Sequence, residues 1–126
     1  MNKPQVSAVL FARDLDAVAE FYQEVFSIRA SSRDMEHALL NFNGFELVVH
    51  QIPKHLLEPA NSSPPERRER TAIRLNFPVA DMTYARREAQ RLGGIIDELP
   101  PPWAGSDTSF HLGHDPEGNV FGAVTA

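Results

Sequence analysis

No cysteine occurs in the 126-residue chain, which excludes disulfides, thiolate metal sites and a cysteine nucleophile, so any bound metal must use His, Asp or Glu. Positive charge is scarce: 12 Lys and Arg stand against 17 Asp and Glu, a net charge of −5. That balance provides no basic stripe for a phosphate backbone, and a nucleic-acid partner is not expected. Apolar runs of membrane-spanning length are missing as well, and Met1 to Pro4 leads directly into a strand pattern rather than a signal peptide's apolar core. A cytoplasmic protein without a membrane partner is therefore expected. With 42% hydrophobic and 23% charged residues, the chain is sized for one domain with a real core and has no room for a second independent one.

What is present is organised around Ile73-Arg74-Leu75-Asn76-Phe77. Strict alternation predicts a strand with Ile73, Leu75 and Phe77 packed under a helix and Arg74 and Asn76 on the opposite, polar side. Residues 6–15 align with 73–82 without a gap, matching Val6 to Ile73, Leu10 to Phe77 and Asp14 to Asp81, so the chain reads as a repeat. In the first copy a strand over residues 5–11 leads to Asp14, a helix N-cap, and to a helix whose stripe is Leu15, Val18, Phe21, Tyr22, Val25 and Phe26. Residues 27–34 read as a short strand and a loop. Asn43-Gly44 between two strand patterns predicts a two-residue hairpin, with His37 opposite His50, Asn41 opposite Glu46 and Leu40 opposite Leu47. One hairpin face, Ala38, Leu40, Phe42, Phe45, Leu47 and Val49, is apolar. The other carries His37, Asn41, Glu46 and His50.

Residues 52–70, rich in proline and charge, read as an exposed connection. The second copy then offers Asp81 as cap and Met82, Ala85, Ala89 and Leu92 as a helix stripe, with Gly93-Gly94 as the stop. Arg86, Arg87 and Arg91 read as a solvated helix face. A stiff loop holds Trp103, and two strands flank the turn at His114-Asp115-Pro116-Glu117-Gly118-Asn119.

The two β-α-β-β-β units, the Asp14-Leu15 and Phe21-Tyr22 pairs, and Asp115-Pro116-Glu117-Gly118-Asn119 before the last strand resemble the vicinal oxygen chelate superfamily. Glyoxalase I, extradiol dioxygenases and bleomycin-resistance proteins belong to it. The resemblance implies an α+β fold, with two tandem β-α-β-β-β modules forming a cup-shaped mixed sheet and the helices outside. Module one covers about 5–51, the linker 52–70 and module two 71–126. It also implies a homodimer, because such modules commonly pair between chains. Metal-dependent members take ligands from the first and last strands of each module. Carried over, those positions are Ser7, Val48, Arg74 and Gly122, none of which is an ordinary ligand.

The expected function is therefore metal-free binding of a small organic molecule in the cup, as in bleomycin-resistance proteins. Its expected contacts are Ser7, His37, Asn41, Glu46, His50, Arg74, Asn76, Trp103, His111 and His114. Arg74 suits a carboxylate or phosphate, or else pairs with Glu46. Trp103 is either a lid over a flat ligand or a rim residue. His111 and His114 are acid or base candidates if they project into the cup; strand parity leaves open which of Phe110, His111, Leu112 and His114 does so. The alternative is a glyoxalase-type lyase or dioxygenase, either with divalent metal relocated to His37, His50 and Glu46 or using His and Arg without metal.

Overall fold

The computed structural model describes residues 4–57, 66–105 and 109–125. Strand β1 (Val6–Ala12), helix α1 (Leu15–Val25) and strands β2 (Ala30–Arg33), β3 (His37–Asn41) and β4 (Phe45–Gln51) form the first module. Strand β5 (Leu75–Pro78), helix α2 (Met82–Arg91) and strands β6 (Ile95–Ile96), β7 (Phe110–His114) and β8 (Val120–Val124) form the second. The class is α+β and the modules are tandem copies. Each makes a four-stranded mixed sheet, ordered β1-β4-β3-β2 and β5-β8-β7-β6, in which the first strand pairs with the last in parallel. No helix among the described residues is long and apolar enough to cross a membrane.

Both helices begin as the caps require. Asp14 accepts a hydrogen bond from the Ala17 amide at 3.1 Å, and Asp81 accepts one from the Tyr84 amide at 3.1 Å, each satisfying a backbone donor that the first helical turn leaves free. The expected α1 stripe is buried throughout. On α2, Ala85 and Ala89 are fully buried, while Met82 and Leu92 are partly so.

The hairpin has the expected register, His37 to His50 through Asn41 to Glu46. Its turn residues, Asn43 at φ 45° and Gly44 at φ 104°, occupy the left-handed region that a two-residue connection of this kind needs. Ala38, Leu40, Leu47 and Val49 are buried beneath α1.

The helix-side faces of both sheets share one core. Phe26 stacks on Phe77 with ring centres 4.6 Å apart, Phe42 approaches Phe77 at 4.9 Å, and Phe21 approaches Phe121 at 5.8 Å. Each of these pairs joins module one to module two.

Several local expectations are corrected. The strand at the repeat begins at Leu75 and includes Pro78, so Ile73 lies before it and is 78% exposed instead of packed under a helix. Arg86 does not belong to a solvated face: it donates to the backbone carbonyls of Ile96 and Asp97. The end of the connection is docked as well. Arg67 makes a bidentate pair with Asp97 at 2.8 and 2.9 Å, and the Arg68 amide donates to the Gly118 carbonyl. Gly118 has φ +80°, and a Cβ there would stand 2.3 Å from the Glu66 carbonyl oxygen, so glycine is what lets this segment approach. The middle of the connection lies outside the described residues.

Candidate functional site

Strand parity divides the expected site residues between two surfaces. On the outer face of the first sheet, Ser7, Val9 and Phe11 of β1 lie beside Glu46, Val48 and His50 of β4, with His37, Leu39 and Asn41 of β3 next. His37 and His50 meet edge to face with ring centres 4.4 Å apart, and Phe11 lies 5.5 Å from His50. Each imidazole has a neighbour at Nδ1: Asp34 Oδ1 at 3.3 Å for His37 and the Gln51 carbonyl at 2.8 Å for His50. The Asp34 carboxyl is held below the usual carboxylate range, first by the Glu36 and His37 backbone amides and then by the His37 ring.

On the outer face of the second sheet, Arg74 and Asn76 lie with Phe110, Leu112, His114, Val120 and Gly122. The Arg74 guanidinium is 5.2 Å from the centre of the Phe110 ring and 5.5 Å from that of Trp103, and these rings are 5.2 Å from one another. Such contacts hold a cation over π faces while leaving its in-plane N–H groups available. Arg74 Nε donates to Asn76 Oδ1 at 3.2 Å. Arg74 forms no ion pair among the described residues, so the alternative pairing with Glu46 is absent there. Trp103 is 65% exposed and rests on this cluster.

His111, one of the four residues whose side strand parity left open, does not reach this face. It pairs with Ala123 in the register that points into the helix-side core, is 6% exposed, and places Nδ1 3.0 Å from the Asp97 carbonyl. Phe110, Leu112 and His114 take the outer face, where His114 Nδ1 lies 2.9 Å from the Asp115 carbonyl.

The four positions at which related enzymes hold metal do not fit an ion. Arg74 is permanently cationic and Val48 has no donor. At Gly122 a Cβ would stand 2.2 Å from Asn76 Oδ1 and 2.8 Å from the Phe110 ring, so the space of a ligating side chain is already filled. Ser7 exposes a lone hydroxyl. The relocated set does not assemble either: among the described residues no three of His, Asp and Glu gather into a metal site, and Glu46 does not join the histidine pair.

The turn after β7 does more than its turn-like composition indicates. Asp115 is fully buried and accepts hydrogen bonds from Tyr22 Oη at 2.9 Å, the Glu117 amide at 2.8 Å, the Asn119 amide at 3.1 Å and Asn119 Nδ2 at 2.9 Å. Glu117 reaches across to module one and accepts the Arg13 and Asp14 amides at 2.8 and 2.9 Å. Burial, reinforced by the Asp115 charge, pushes the Tyr22 phenol well above its ordinary pKa. The Asp-Pro-Glu-Gly-Asn turn thus clasps the modules together.

Solved structures share the architecture. A glyoxalase/bleomycin resistance protein from Albidiferax ferrireducens T118 superposes with TM-score 0.64 at 16% identity, over 96% of this chain and 97% of that one. A glyoxalase-related enzyme from Fulvimarina pelagi gives 0.63 at 23%, over 99% and 89%. Lactoylglutathione lyase from Agrobacterium tumefaciens gives 0.59 at 17%, over 99% and 95%. At such identities the likeness is one of fold. No curated protein matches the chain. The glyoxalase-like domain family matches residues 7–124, and with the paired modules and the closing turn this establishes that the chain belongs to that family, within the vicinal oxygen chelate superfamily.

Proposed function

We propose that the protein binds a small planar organic anion on the outer face of the second sheet, without a metal, in the manner of a bleomycin-resistance-type binding protein. The observation that carries this reading is the Arg74 cluster: an exposed guanidinium braced by Phe110, Trp103 and Asn76, with no carboxylate partner among the described residues. An aromatic carboxylate would lie against the rings and take charge-assisted hydrogen bonds from the guanidinium edge. A homodimer completes the site, the first sheet of one copy covering the second sheet of the other. Val9 and Phe11, at 52% and 60% exposure on the outer face of β1, support a second copy there, since such apolar area is costly to leave in water.

Thermal-shift screening of benzoate, phenyl phosphate and related anions should find stabilising ligands. Titration on Arg74→Leu should show roughly ten- to a hundredfold weaker binding, the 1.5–3 kcal/mol of a lost hydrogen bond to a charged group. Equal affinity for both proteins would make Arg74 a purely structural residue. Sedimentation of Phe11→Glu should give monomer with the same loss of affinity if the partner's first sheet covers the site.

A further inference from the structure

A separate cleft of about 520 Å³ opens where the tip of the β3–β4 hairpin meets β5. Its walls are aromatic: Phe26, Phe42, Phe45 and Phe77 surround it, and Leu75 and Ile28 fill in between. The rings are fixed by mutual packing, with Phe26 and Phe42 both seated against Phe77, so the cleft exists before anything enters it. Polar groups are few and of one kind. Asn41, Asn43 and Asn76 are its polar lining residues, and no ionisable residue lines the space among the described residues. Asn41 is exposed, and its side chain has no hydrogen-bond partner among the described residues. A concave apolar site of this size with a few convergent amides has the composition of a small-molecule site.

We infer that this cleft is a second ligand site, selective for an uncharged aromatic molecule of one or two rings carrying a carbonyl, hydroxyl or amine for the Asn41 and Asn76 amides. The selectivity follows from the walls. An anion or cation would lose its hydration without gaining a countercharge, whereas a neutral ring loses little and gains aromatic contact on several sides. The site differs from the Arg74 surface in chemistry: Asn76 borders both, but neither Arg74 nor Trp103 lines the cleft.

The test uses N-phenyl-1-naphthylamine, a neutral dye whose emission rises in apolar surroundings, titrated into the intact protein. Saturable binding of one dye per chain is expected, and benzoate, the probe of the Arg74 surface, should not displace it. Asn41→Trp places a bulky ring at the mouth and should weaken the dye at least about tenfold. Asn41→Asp adds a charge without bulk and should weaken it in the same direction, which keeps the test open if the tryptophan variant folds poorly. Non-saturable binding, displacement by benzoate, or unchanged affinity in Asn41→Asp would each overturn the inference. Failure of benzoate to bind at all would count against the Arg74 site alone.

Discussion

Module one closes its last pair of strands with Asn43 and Gly44 alone, whereas module two uses the stretch 115–119 at the same place and sends two of its carboxylates into the other half of the molecule. The outer faces diverge in the same way. Register makes Ser7 the counterpart of Arg74, Val9 of Asn76 and Val48 of Gly122. At each pair module one has a small hydroxyl or an aliphatic side chain, and module two has a polar or absent one. The helix-side positions, by contrast, are apolar in both, His111 of β7 excepted. One chain path can therefore be kept by its buried half while the exposed half is rewritten, because parity in a strand separates the two sets.

The sharpest way to break this comparison is at the turns. Asp115→Ala removes a buried acceptor and strands the Tyr22 hydroxyl and two amides, so it should cost about 3–5 kcal/mol in urea unfolding. Gly44→Ala, at the equivalent place in module one, strains only a left-handed residue and should cost about 1–2 kcal/mol. Equal losses would mean that the longer turn is no clasp.

An exchange on the outer faces comes next. Gly122→Val must push aside Asn76 and Phe110 and should cost about 1–3 kcal/mol, while Val48→Gly, on a half-exposed strand, should cost about 1 kcal/mol or less. Should Gly122→Val prove harmless, the space at that position is not filled, and a ligating side chain could have stood there.

The smallest effect is in pH. Folding raises the Tyr22 pKa, so the folded chain keeps this proton after the unfolded chain begins to lose it near pH 10. The contribution is full below pH 10 and is lost as pH rises above it. Stability should fall there more steeply in wild type than in Tyr22→Phe, and parallel curves would remove Tyr22 from the clasp.

The sequence made the fold legible because its signals were local: helix caps at Asp14 and Asp81, alternation, and a two-residue turn that sets its own register. The site was less legible. His111 and His114 are three residues apart on one stretch, yet the first faces the core and the second the outer face, and only the pairing of Phe110 with Val124 decides between them. The Trp103 contact with Arg74 spans a loop whose path alternation does not describe. The roles of Asp115 and Glu117 were hidden because their partners, Tyr22 and the amides at 13 and 14, are far away in sequence. A buried hydroxyl on the apolar stripe of α1 was the one signal that a polar partner had to be near.

The hold of Glu117 on the chain entering α1 bears on how the chain assembles. The Arg13 amide and its acceptor are separated by 104 residues, so the approach to the first helix is fixed by a group synthesised long after it. Until the β7–β8 turn forms, module one has its own Asp14 cap but lacks the Glu117 acceptor for the amides before the helix, the Asp115 partner of the Tyr22 hydroxyl, and the Phe77 and Phe121 rings on which its aromatic stripe packs. Contacts of such sequence separation slow folding and make it cooperative. A nascent first module is thus a waiting half whose apolar surface must be shielded until its counterpart arrives, and a chain cut within the connection should remain soluble only if both pieces are present to find each other.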